Sequence, residues 1–127
     1  MSTDPLPGAA RDLAEVPAVE VITTAAVHLM SAAAIKCGLV NPGDLAGATD
    51  EDGQPLTPAD LMDLAEARSL ITSLAGLVTA AAPEIGSQHA LALRDGLRSL
   101  QLAFREASTV PDAPGQGPGE KLTGPVR

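Results

Sequence analysis

Aromatic side chains are nearly absent from this sequence: of 127 residues one is aromatic, Phe104, with no Trp and no Tyr. Bases therefore have no rings to stack on, which argues against a single-stranded nucleic-acid surface. A single cysteine, Cys37, excludes an intramolecular disulfide framework and fits a reducing compartment. Positive charge is scarce, eight Lys plus Arg against sixteen Asp plus Glu for a net charge of −8, and this opposes non-specific binding to nucleic acid or anionic membranes. The start, Met-Ser-Thr-Asp-Pro-Leu-Pro-Gly, lacks the basic residues and apolar run of a signal peptide, so a cytoplasmic location is expected. No repeat of solenoid period is present.

Chemistry-bearing constellations are missing too. There is no glycine-rich phosphate loop after a strand, no Ser/His/Asp order and no pair of catalytic carboxylates, so no enzyme activity and no cofactor are expected. His28 and His89 have no companion at metal-ligand spacing. Cys37 falls at a helix C-terminus, where the dipole disfavours a thiolate, and reads as a structural thiol. Asp50-Glu51-Asp52-Gly53 lacks the spaced oxygens and closing Glu of a calcium loop and reads as a solvated turn.

What the chain does have is Ala, Leu, Val and Ile in helical register. The expected fold is all-α: a flexible segment over 1–16, a helical domain over 17–107 and a disordered Pro/Gly-rich tail over 108–127. Helices are expected at about 17–37, 58–82 and 88–107, the last two as an αα-hairpin with the first packed across it. In the first, Val19, Ile22, Ala26, Leu29 and Ala33 draw one stripe, with a second, Val21, Ala25, Ala32 and Ile35, beside it. Glu20, Thr24, His28 and Ser31 form its polar strip; with Lys36 they oppose a membrane span, since buried charge costs about 2.5–3.5 kcal/mol per residue.

The second helix has a complete start signal: Thr57 as N-cap, Pro58 at the first position, Asp60 reaching back, and Leu56 with Leu61 as a staple. It carries two stripes, one from Leu61 to Ala82 and one of Ala67, Leu70, Leu74, Leu77 and Ala81, and its remaining face, Ser69, Ser73, Gly76 and Ala80, is small. The third has a single stripe, Ala90, Leu93, Leu97, Leu100, Phe104 and Ala107, opposite a charged side. The tail, with four Pro and four Gly in twenty residues, has too little apolar surface to offset its ordering entropy.

Helices apolar over more than one face must be enclosed by something else. The sequence therefore predicts self-association, a homo-oligomer whose interface draws on Val21, Ala25, Ala32, Ile35, Ser69, Ser73, Gly76 and Ala80. Charge is polarised: seven carboxylates and no Lys or Arg lie between Asp44 and Glu66, while Arg94, Arg98 and Arg105 lie within twelve positions of the third helix. Those arginines read as a solvated face or as intersubunit ion pairs, and they are the candidate contacts to an acidic protein surface such as the Asp44–Glu66 region of another copy.

The runs Glu20-Val-Ile-Thr-Thr-Ala-Ala-Val-His-Leu-Met-Ser-Ala-Ala-Ala, Asp63-Leu-Ala-Glu-Ala-Arg-Ser-Leu-Ile-Thr-Ser-Leu-Ala-Gly-Leu and Leu93-Arg-Asp-Gly-Leu-Arg-Ser-Leu-Gln-Leu-Ala-Phe-Arg-Glu-Ala cover much of the chain. Together they resemble a small bacterial family of helical domains of unknown function, number eighteen-forty-four. The closing Pro118-Gly-Glu-Lys-Leu-Thr-Gly-Pro-Val-Arg resembles the tail of its actinobacterial members. The resemblance implies a helical domain with no catalytic residues. Because genes of members neighbour those of translation-initiation and ribosomal proteins, it also implies a ribosome or translation-factor partner, reached through the arginines or the tail.

Overall fold

A computed structural model describes residues 13–126, so most of the expected flexible segment, 1–12, and the final Arg127 lie outside the described residues. Three long helices pack on one another: α1, Ala18–Lys36; α2, Leu64–Ile85; and α3, Ser87–Ala107. A single turn, α4, spans Glu120–Thr123. Among the described residues there is no strand, only one antiparallel bridge between Thr49 and Pro55. The all-α arrangement, α1 across a hairpin of α2 and α3, is the one the apolar periodicity predicts.

Pro17 stands just outside α1, and its carbonyl accepts the first bonds, from the Glu20 and Val21 amides at 3.0 and 3.2 Å. The far end closes on Gly38 at φ +85°, with the Leu39 amide donating to the Ala34 carbonyl at 2.8 Å. This is the left-handed cap that glycine makes without a Cβ penalty. In the loop that follows, Asp50 Oδ1 accepts from the Asp52 and Gln54 amides, each at 2.9 Å. That carboxylate is used to hold a turn.

The start of α2 differs from the sequence expectation by six residues. Thr57, Pro58 and Asp60 do form the reciprocal capping box, with Asp60 Oδ2 accepting from the Thr57 amide at 2.8 Å, but the box launches only a 3₁₀ turn, Pro58–Leu61. Met62 is extended at ψ 132° and breaks the run. Asp63 then caps α2 afresh, its Oδ1 accepting from the Glu66 amide at 3.1 Å. The Asp63 amide donates to the Lys36 carbonyl at 2.8 Å, and this bond ties the end of α1 to the start of α2. At the other end α2 runs through Pro83 to Ile85, where a turn was expected from residue 83. Proline there forfeits one bond in the last turn, and the buried Ile85 continues the apolar face. Gly86 at φ +87° ends the helix, and α3 begins at once with Ser87.

The core is a single cluster with α2 at its centre. Ile71, Leu74, Ala75 and Val78 of α2, Leu93, Leu97, Leu100 and Phe104 of α3, and Ala26, Ala33 and Cys37 of α1 are all buried. Both α2 stripes are used inside the chain: Ala67, Leu74 and Ala81 are buried, and Leu70 and Leu77 pack half-buried against the core. Gly96 lets α1 come close to α3, since a Cβ at that position would stand 2.8 Å from the Met30 methyl.

The tail departs most from expectation. Composition predicts disorder over 108–127, yet residues 108–126 fold back onto the hairpin, with Pro118, Gly119, Glu120 and Val126 buried. Ordering is carried by backbone contacts and a few polar anchors, which a measure of apolar content does not count.

Candidate functional site

Two surfaces stand out. The first is the face of α2 and α3 under the tail. Gly119 lies in the left-handed region at φ +75°, and a Cβ there would stand 2.6 Å from that of Ala75. Only glycine fits both the conformation and the space. Beside it Gln101 of α3, 2 % exposed, donates from Nε2 to the Pro118 carbonyl at 3.0 Å and to Thr123 Oγ1 at 3.1 Å. A buried amide left without partners would be costly, so these bonds fix where the tail sits. Glu120, 5 % exposed, folds the tail on itself: Oε1 accepts from the Gly117 amide at 2.7 Å and Oε2 from the Val126 amide at 2.6 Å. The outer end is held by Arg68, which pairs with Asp112 at 2.7 Å and sits 5.0 Å from the centre of the Phe104 ring.

The arginines of α3 do not form one open row. Arg94 and Arg98 line a cavity of about 360 Å³ whose opposite wall is the tail, from Leu122 to Val126. Arg105 donates to the Asp112 carbonyl at 3.3 Å, a contact that sequence reasoning did not foresee. Arg68, Gln101, Gly119 and Glu120 were also missed. The available signals were a polar residue flanking the α3 stripe and a Gly-Pro-Gly-Glu run that reads as a turn.

The second surface is the outer face of α1. Val21, Val27 and Ile35 are 43, 49 and 39 % exposed, and Leu39 just beyond the helix is 55 % exposed. Ala25 is exposed and Ala32 half-buried, and Glu20, Thr24, His28 and Ser31 stand exposed among them. By length and composition α1 is apolar enough to cross a membrane, yet only 11 % of that stretch is buried within the chain. The outer face of a helix expected to be enclosed is thus uncovered, while Val19, Ile22, Leu29, Met30 and Ala34 pack half-buried against the core. On α2, Ser69, Ser73 and Ala80 are exposed and Gly76 is half-buried, with nothing within 4 Å of where a Gly76 Cβ would stand. The close packing expected to explain that glycine is not made within the chain.

The groups considered for chemistry stand apart. Cys37 is buried, and desolvation pushes its thiol above the usual range. His28 and His89 are both exposed. Among the described residues no three His, Cys, Asp or Glu side chains converge as metal ligands would.

The geometry describes a helical domain with an uncovered apolar helix and a strapped hairpin. Residues 18–106 match the model of a family described as Domain of unknown function (DUF1844). The chain belongs to that family. No curated protein and no solved structure matches it. The DUF1844 match takes in α1, α2 and all but the last residue of α3, and the strap formed by the tail lies beyond it.

Proposed function

We propose that this DUF1844 protein is a non-enzymatic, self-associating component of the cytoplasm, with the outer face of α1 as its interface. The carrying observation is that α1, the most apolar helix by composition, has Val21, Val27 and Ile35 open to solvent. Exposed apolar side chains gathered on one element mark an interaction surface. The same face presents Glu20, Thr24, His28 and Ser31, which favours a protein partner over lipid, where each unmatched polar group costs several kcal/mol. A second copy is the simplest protein partner, since a twofold interface uses the same patch on both sides. The α2 half of the expected interface is not retained: the apolar stripes of α2 are covered by α1 and α3, and its remaining face is small and largely polar.

Sedimentation equilibrium of the full chain and of a Val21→Glu/Ile35→Glu variant tests this. The variant places charge at two open positions, so its fold is expected to survive while its association is lost. A monomeric variant with unchanged helicity, against an oligomeric parent, supports the interface. Equal masses for the two overturn it.

A further inference from the structure

The tail is held by features that act as a reader and a text. On the helix side stand Ala75, whose methyl allows only glycine above it, and Gln101, a buried amide with both of its hydrogen bonds made to the tail. On the tail side Gly117-Pro118-Gly119-Glu120 makes a tight turn that Glu120 closes by accepting from the Gly117 amide, while its other oxygen accepts from the Val126 amide farther along the tail. The turn therefore brings its own fold to the surface, and the helices supply the space and the donors. The connection back to α3 is a short stretch leaving Ala107, in which Ser108 is extended at ψ 128° and Val110 is 85 % exposed. Arg68 and Arg105 hold the outer part of the tail through Asp112 and the Gln116 carbonyl, and the Arg68–Asp112 pair is partly solvated, with side chains 44 and 30 % exposed.

We infer that the α2–α3 face is a peptide-recognition groove specific for a Gly-Pro-Gly-Glu turn, filled in cis by this chain's own tail. Its partner in trans is the same segment of a second copy. The occupant is identified by the fit on both sides: glycine at the contact with Ala75, a carbonyl and a hydroxyl for Gln101, and a self-capped acidic turn. A short tether gives the cis segment an effective concentration in the millimolar range, so it excludes a free segment until it is displaced or damaged. This groove is separate from the α1 face and does not depend on it.

The test uses the full chain carrying Gly119→Ala, which empties the groove by altering the tail and leaves every helix residue in place. Tail amides, Gly117 and Val126 among them, should lose hydrogen-exchange protection while the amides of α1, α2 and α3 keep theirs. A synthetic peptide of residues 112–127 is then titrated in and followed by NMR. It should bind the variant with a dissociation constant of about 0.1 mM or lower and the parent at least tenfold more weakly, because a cis segment at millimolar effective concentration occupies the parent's groove. Adding Gln101→Ala to the variant should abolish binding. Glu120→Ala, which unpins the turn by another route, should open the groove to the peptide in the same way. A tail that stays protected in both tail variants, a peptide that ignores the emptied groove, or one that binds parent and variant alike would overturn the inference. A chain found monomeric through its α1 face would leave all of these outcomes readable.

Discussion

Gln101 and Arg68 both reach the tail, but burial separates their weights. The Gln101 amide is enclosed and makes two hydrogen bonds, so Gln101→Ala should lower stability by about 1–3 kcal/mol in urea denaturation. Arg68→Ala removes a solvated ion pair and a ring contact, and a loss of about 1 kcal/mol or less is expected in the same assay. Cys37 provides a third check. Burial raises its folded thiol above the usual thiol range, so the folded state holds its proton to higher pH than the unfolded chain does. That contribution to stability is full below the unfolded pKa and is lost as pH rises from there through the folded value. Stability measured from pH 8 upward should therefore fall through this window, and Cys37→Ala should flatten that fall. At this scale the buried thiol was legible from its place at a helix end. Gly119 was not, because its role depends on Ala75, 44 positions earlier.

At the scale of elements, local signals and tertiary demands part company at α2. Thr57, Pro58 and Asp60 are true capping chemistry and were rightly read as such, but the chain at Met62 must turn to let the Asp63 amide reach Lys36 at the end of α1. The signal of lesser prominence, Asp63, begins the helix. Asp63→Ala should accordingly cost about 0.5–2 kcal/mol of stability, and Thr57→Ala less, by thermal or urea unfolding. The stripes of α1 and α3 were legible because a helix that buries one face records it in the 3.6 period. The extent of α2 through Pro83 was not, because burial of Ile85 outweighs a propensity that is only local. Gly76 bears on the interface as well. With nothing near its missing Cβ, Gly76→Ala should raise stability by about 0.5–1 kcal/mol and leave association unchanged, as calorimetry and sedimentation would record. Weakened association in that variant would return the small face of α2 to the interface.

The whole molecule is a core organised around α2 with one side closed by its own tail and the other, α1, left open. Composition alone predicted that three helices this apolar could not enclose one another, and the location of the surplus sharpens that statement. α2 has its apolar surface covered within the chain, α3 turns its charged side outward, and Val21, Val27 and Ile35 stand exposed on α1. The tail escaped a composition argument because Gly and Pro count there as disorder, whereas here they supply a turn whose backbone docks on two helices. The proposed interface requires the outer face of α1 to be covered by another copy in solution. Sedimentation equilibrium of the full-length chain, at loading concentrations from about 1 to 100 μM, measures it most directly. A mass of at least two chains, persisting at the dilute end, is predicted; a folded species with the mass of one chain across the whole range would contradict it.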